Sequence, residues 1–367
     1  MNVHEIELKN SGKISRLTNK TFNFDPKISE HFYTAHYFVK TMKIIKEHLP
    51  NHHVTMQFFQ RRDDAMVCGL DEVIALIHTF AKNPQDLEIL ALNDGDIISD
   101  GEPVLKIKGR YEDFGYLESL IDGILARRSS VATNVKEVLK VLNGKDCFSM
   151  ADRQDDYLTQ RGDGYATYVA GIKKYSTNAQ GDWVNVKGMG TMPHALIQMC
   201  RGDIVEASLL YNQTFPEQKV TALVDYNNDT VTDSLKVAAA LKDKLGAIRI
   251  DTSKALIDKY FIGKDTSGFD PHGVCPELIF AIRENLDKHG YNHVRIVVSS
   301  GFDVEKIKFF EAKKTPVDTY GVGSSFVHNT TVGFSGDLVV IDGQHEAKVG
   351  RREIDNPRLK SVPFPIY

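Results

Sequence analysis

The sequence predicts an α/β protein: an irregular, incomplete α/β barrel beside an α+β lobe formed by the N-terminal third and the C-terminal tail. Three observations predict it. Beyond residue 145, short β-branched runs alternate with helical windows, the signature of successive βα units around a parallel sheet. The first third mixes strands and helices without that alternation. After Thr330 the period turns strand-like again, as though the tail rejoins the opening lobe. The expected division is 1–125 with 331–367 for the lobe and 126–330 for the barrel.

Taken in order, residues 1–28 are polar and weakly alternating, which suits a strand or an arm. Ile28 to Leu49 places Phe32, Ala35, Phe38, Val39, Met42 and Ile45 at helical spacing, closed by Pro50. His53–Phe59 alternates like a strand, Leu70–Ala81 reads as a helix, and Leu87–Gly109 holds two β-like pieces around turn-rich Asn-Asp-Gly-Asp and Asp-Gly-Glu-Pro. A long helix over Phe114–Leu142 is expected to be interrupted at 126–133. In the barrel region, strands are predicted at 147–151, 172–176, 184–187, 220–224, 248–250, 294–298 and 319–322. The helices between them fall near 157–170, 193–212, 231–245, 276–289 and 303–313. That makes six or seven βα units. Tail strands are expected at 338–341 and 347–352.

Composition narrows the partners. A net charge of −4, with 26% charged residues, leaves no broad basic field to attract nucleic acid or anionic lipid, so small molecules are expected. The four cysteines are scattered with no Cys-x-x-Cys pair, which argues against a zinc knuckle or a disulfide framework and suits a reducing cytoplasm. There is no run of about 18 apolar residues and no basic-then-apolar opening, so a soluble, unexported, cytoplasmic protein is expected.

Candidate chemistry gathers at strand ends, where ligands bind in parallel α/β architectures because the loops converge there. Gly321, Gly323, Ser324 and Ser325 follow the last strand with amides and hydroxyls suited to a phosphate monoester; a plain tight turn is the alternative. Arg249, between Ile248 and Ile250, puts a charge in a buried run, where it must be paired or bound. Asp251 and Thr252 follow it, and an Asp there can accept ribose hydroxyls or hold Mg²⁺; an Arg–Asp structural pair is the alternative. Ser299, Ser300 and Gly301 suit sugar or phosphate oxygens, with Asp303 as the cap of the next helix. His194 opens a helix after Gly-Met-Gly-Thr-Met-Pro, and a neutral imidazole there is a nucleophile. Arg153, Ser176 and Thr177 follow the first two barrel strands and suit a carboxylate. The aromatic run at Phe32 and Tyr33 is core by default, with one ring available to stack on a planar ligand.

Together these motifs, with Ser-Glu-His-Phe-Tyr33, Gly-Leu-Asp-Glu (69–72), the run 101–109, Arg-Ser-Ser-Val-Ala-Thr (128–133) and Gly-Val-Cys-Pro-Glu-Leu (273–278), resemble the nicotinate phosphoribosyltransferase family of type II phosphoribosyltransferases across nearly the whole chain. The resemblance implies transfer from 5-phosphoribosyl 1-pyrophosphate to nicotinate, with Mg²⁺ as cofactor and ATP as co-substrate. It implies the ribose 5-phosphate on Gly321 to Ser325, the ribose and pyrophosphate on Arg249, Asp251, Ser299 and Ser300, and the pyridine near Arg153, Thr177 and Tyr33. His194 matches the histidine that the family phosphorylates from ATP, and a homodimer with sites near the subunit interface is implied. After Asp251 this chain has Thr-Ser-Lys-Ala-Leu where many relatives have a Ser-Gly-Asp-type continuation, which bears on the metal contact. The alternatives are a quinolinate or nicotinamide enzyme of the same fold, the former needing an extra basic cluster such as Arg127, Arg128 and the lysines near 173, or a non-catalytic barrel that binds a phosphorylated ligand.

Overall fold

The computed structural model describes residues 17–364, so most of the expected strand or arm over 1–28 lies outside the described residues. Two sheets organise the chain. The first is six-stranded and antiparallel where its pairings run, and it draws on both ends of the sequence. Strand β1 (His53–Gln60) lies at its middle. A short antiparallel pair, β2 (Ala65–Met66) and β4 (Ile97–Ile98), stands apart from it, while β3 (Glu88–Ala91) and β5 (Leu105–Arg110) belong to it.

The second sheet is parallel and carries β6 (Asp146–Ser149), β7 (Val220–Leu223), β8 (Leu245–Ile250), β9 (Arg295–Val298) and β10 (Thr319–Val322), in the order β6-β10-β9-β8-β7. The tail then supplies β11 (Phe334–Ile341), β12 (Gln344–His345) and β13 (Lys360–Val362). β11 pairs with β1, and β13 with β3, so the tail does rejoin the opening lobe.

The parallel sheet is a barrel left open. β6 and β7 are its two ends and do not pair; past β6 a single parallel bridge, Ser149 to Tyr175, begins the gap. The expected strands at 172–176 and 184–187 are therefore absent, and five parallel strands replace six or seven units. Their backbone groups go elsewhere: Asp182–Val184 forms a 3₁₀ turn, Asn185 is left-handed, and Val186 donates back to the Gly181 carbonyl.

Other boundaries shift for identifiable reasons. The helix expected from Ile28 begins at His36, because Asp25 caps a 3₁₀ turn over Pro26–Glu30 that His31 ends in a left-handed conformation. The predicted 193–212 helix is two, His194–Met199 and Ile204–Thr214, divided where Arg201 and Gly202 take positive φ. The expected strand at 347–352 is irregular and is held by the Gln57 side chain, which bonds Arg352 and Ile354.

The interruption expected at 126–133 does not occur; one helix runs Glu118–Leu139. Its small polar residues have work elsewhere. Ser129 bonds both the amide and the carbonyl of Cys68, Thr133 accepts from the Met66 amide, and Ser130 bonds back to Ala126. This helix joins the two cores: Ile121 and Leu125 pack under the antiparallel sheet, whereas Val131, Val135 and Val138 pack with the barrel. At about 25 cal/mol per Å² of apolar surface removed from water, such two-sided burial ties the layers together. The four cysteines are free and buried. No helix among the described residues is long and apolar enough to cross a membrane.

Candidate active site

A cavity of about 910 Å³ opens at the carboxyl ends of the parallel strands. Arg153, Ser176, His194, Arg249, Asp251, Ser299, Ser300, Gly301, Gly321, Gly323 and Ser324 all line it. They come from six separate stretches of chain, so the convergence is a property of the fold rather than of sequence proximity. Tyr33, Thr177, Thr252 and Ser325 do not line it.

The phosphate-type loop is shaped by close backbone approach. A Cβ on Gly323 would sit 2.7 Å from the Met150 carbonyl oxygen, and one on Gly321 would meet the tip of the Met150 side chain at 2.6 Å. Met150 in turn donates its amide to Val322 at 2.7 Å, so the loops after β6 and β10 are pressed together. Ser324–His328 starts a short helix there, and the Ser325 hydroxyl is buried with no hydrogen-bond partner among the described residues.

At the end of β8, the Arg249 guanidinium approaches Asp251 and Ser299 Oγ at 3.4 Å each and donates to the Met192 carbonyl at 3.3 Å. Ser299 donates to Asp251 Oδ1 at 2.8 Å. The expected pair therefore exists, yet it is loose, and the buried Nε of Arg249 is left over. A buried donor left over costs stability unless something satisfies it. Thr252, buried beside it, likewise has an unused hydroxyl.

Ser300 and Gly301 both have positive φ, +79° and +70°. A serine held there costs of order 1 kcal/mol or more, the kind of local strain that gathers at binding sites. Lys306 braces the turn by donating to the Ser300 carbonyl at 3.1 Å, and burial holds its ammonium below the usual lysine range. Asp303 caps the following helix through the Lys306 amide at 2.8 Å, as expected.

Around the other rim, Ser176 donates to Asp152 at 2.9 Å, and Gln160 bonds the Asp152 carbonyl while accepting from Thr177. Thr177 is spent as a helix cap in a capping box with Gln180. Arg153 has no ion-pair partner among the described residues, despite its acidic neighbours. Tyr33 is half-exposed and donates to Asp25 at 2.5 Å.

His194 Nε2 lies 3.2 Å from both carboxylate oxygens of Asp225. The imidazole is 45% exposed and the carboxylate 6%. Burial pushes the Asp225 carboxyl up, His194 pulls it down, and Asp251 adds to the upward push. Asp225 was not singled out from the sequence. The available signal was its place just beyond β7, much as Asp251 stands just beyond β8.

A five-stranded parallel half-barrel, with a cavity at the ends of its strands and an antiparallel sheet woven from both chain ends, defines the class of fold. Residues 36–129 match the family described as "Quinolinate phosphoribosyl transferase, N-terminal domain". A relative in sequence, nicotinate phosphoribosyltransferase pncB1 of Mycobacterium tuberculosis, is 27% identical over 259 residues, covering 68% of this chain and 53% of its own. The chain thus spans about half the length of the curated relatives it matches. Among solved structures, nicotinate-nucleotide pyrophosphorylase from Pyrococcus furiosus superposes with a TM-score of 0.79 at 27% identity, over 93% of this chain and 85% of that one. Human nicotinic acid phosphoribosyltransferase shares the fold with a TM-score of 0.67 at 17% identity, over 87% and 77%. In sequence and in fold the chain is thus similar to quinolinate and nicotinate phosphoribosyltransferases.

Proposed function

We propose that this chain is a nicotinate phosphoribosyltransferase, which transfers the phosphoribosyl group of 5-phosphoribosyl 1-pyrophosphate to nicotinate and releases pyrophosphate. The observation that carries the reading is that Arg153, Arg249, Asp251, Ser299, Ser300, Gly323 and Ser324 line one cavity. It offers a glycine–serine loop for a phosphate and an arginine without an ion-pair partner among the described residues for a carboxylate, as a donor and a pyridine carboxylate require.

In this reading the Gly321–Ser325 loop takes the 5-phosphate through backbone amides and hydroxyls. Arg153 pairs with the carboxylate. As the anomeric carbon–oxygen bond breaks and the bond to the pyridine nitrogen forms, charge moves onto the departing pyrophosphate, and Arg249 neutralises it. The ring nitrogen attacks through its own lone pair, so no general base is needed; the protein mainly positions the partners. Asp251 presents a carboxylate to the cavity, and Mg²⁺ is commonly held by one or two carboxylates together with substrate phosphates and water. Asp251 is the residue that would hold it, and the ion would add positive charge at the pyrophosphate.

His194 is proposed as the site that ATP phosphorylates. With the Nε2 proton directed at Asp225, the lone pair is left on Nδ1, and the exposed ring is open to a nucleotide. Tyr33 lies outside the cavity of its own chain. Its role near the pyridine therefore requires a second copy, for which the exposed Phe32, Tyr33 and Tyr37 offer an apolar surface.

The match of residues 36–129 favours quinolinate as a second reading. Its second carboxylate needs further cations; of those expected, Arg127 is bidentate to Asp163 and Arg128 to Glu72, while Lys174 lines the cavity and pairs with Asp146. Incubating the purified chain with donor and each of nicotinate, quinolinate and nicotinamide decides the matter. Nicotinate should yield mononucleotide and pyrophosphate fastest. Faster turnover of quinolinate would overturn the substrate, and no pyrophosphate from any pyridine would overturn the enzyme.

A further inference from the structure

The cavity does not end behind the site. It continues along the barrel axis from Ser299 and Gly323, which follow the ends of β9 and β10, down to Arg295 and Thr319, which begin those strands. Four residues of strand at about 3.3 Å each make that roughly 13 Å. In closed barrels the inward positions are filled by layers of bulky branched side chains. Here the small Thr221, Ala247 and Thr319 line the passage beside the bulkier Phe148 and Val297, and the cavity remains open along it.

The far end is basic. Lys174, Lys219 and Arg295 all line it. One carboxylate, Asp146, serves two of them, at 2.6 Å from Lys174 and 3.1 Å from Arg295. Lys219 has no ion-pair partner among the described residues. Three cations against one carboxylate leave an excess of two positive charges along this part of the cavity wall, which favours an anion. Thr319 adds a hydroxyl, which already accepts from Arg295 at 3.3 Å. Arg295 also lines a second cavity of about 600 Å³, among the residues that lead into β9 and β10, so the strand-start end carries an opening of its own.

We propose that Lys174, Lys219 and Arg295 form a second anion site, at the strand-start end of the barrel, that takes a phosphate group. It lies far enough from the Gly321–Ser325 loop for both to be filled at once. The occupant is inorganic phosphate or the phosphate of a nucleotide, and it enters from the strand-start end. The inference does not rest on the proposed transfer activity.

Calorimetric titration of the full chain with inorganic phosphate tests it. The wild type should bind two phosphates per chain. Lys219→Glu, an exposed position whose change leaves the fold intact, should weaken one of them at least tenfold and spare the other. Arg295→Gln should do the same, and Gly323→Ala should weaken the opposite one. A nucleoside monophosphate that binds at least tenfold tighter than phosphate, and loses that advantage in Lys219→Glu, identifies a nucleotide as the occupant; equal binding identifies phosphate. Two sites of wild-type affinity in both rear variants would overturn the proposal. So would a single wild-type site that Gly323→Ala removes. A chain that binds phosphate in this pattern but turns over no pyridine would sink the proposed function and leave the rear site standing.

Discussion

Gly323→Ala is the perturbation whose size can be worked most fully from the structure. The added methyl would stand 2.7 Å from the Met150 carbonyl oxygen and 3.2 Å from the Gln154 amide nitrogen. Ordinary contact begins near 3.4 Å, so something must move by about 0.7 Å. The Gln154 side chain can swing aside, but the Met150 carbonyl is backbone and its amide is bonded to Val322. The loops after β6 and β10 must therefore part, which displaces Arg153 and the phosphate amides together. Overpacking of this kind costs about 1–3 kcal/mol in stability. A misplacement approaching 1 Å at reacting groups costs about 10²-fold in rate. The assay is kcat/KM for both substrates at a temperature where circular dichroism shows the variant folded. Gly333→Ala is the control, since nothing lies within 4 Å of a Cβ there. A loss of about 100-fold in Gly323→Ala, against no change in Gly333→Ala, is expected. Wild-type kcat/KM in the folded Gly323→Ala protein would refute the idea that this glycine sets the geometry of the loop.

Arg153→Ala should raise KM for nicotinate about 10- to 100-fold, the worth of one hydrogen bond to a charged group, while leaving KM for the donor nearly unchanged. Equal changes in both would place Arg153 elsewhere. His194→Ala should abolish stimulation by ATP and retain some ATP-independent turnover; steady-state rates with and without ATP read this directly. Burial, with Asp122 and Asp337 nearby, pushes the Glu118 carboxyl up to about 8, and burial pushes Asp122 to about 6. A folded-state value above the unfolded one means the stabilisation is full at low pH and is lost as pH rises from 4.5 to about 8 for Glu118 and from 3.8 to about 6 for Asp122. Glu118→Gln should therefore be neutral near pH 5 and stabilising by ~2 kcal/mol near pH 9, a figure kept below the full shift because the group is only partly buried. Denaturant melts at the two pH values check it, and an identical difference at both would contradict it.

The strand ends were legible because each couples a β-branched run to small or charged residues within a few positions. Arg249, Ser299 and Gly321 could be read as neighbours from three separate motifs, since parallel strands all present the same end. Asp225 was missed because it stands alone, without a glycine or serine to mark its turn. The continuous helix Glu118–Leu139 was read as broken because Ser129 and Thr133 look like poor helix residues. Their partners, Cys68 and Met66, lie more than sixty residues away, and no local pattern shows that. The missing strands at 172–176 and 184–187 have the residue types of strands. What they lack is a neighbour to pair with in an open barrel, which is a fact of tertiary structure. Thr177 was expected at the ligand and is a helix cap; both roles call for the same hydroxyl.

The most direct test is a crystal structure of the full chain with nicotinate mononucleotide. The nucleotide phosphate should lie on the amides of Gly323 to Ser325, and the pyridine carboxylate should lie within hydrogen-bond reach of Arg153, with the ribose spanning the wall made by Arg249, Asp251 and Ser299. A mononucleotide bound with its phosphate away from that loop, or outside this cavity altogether, would contradict the account.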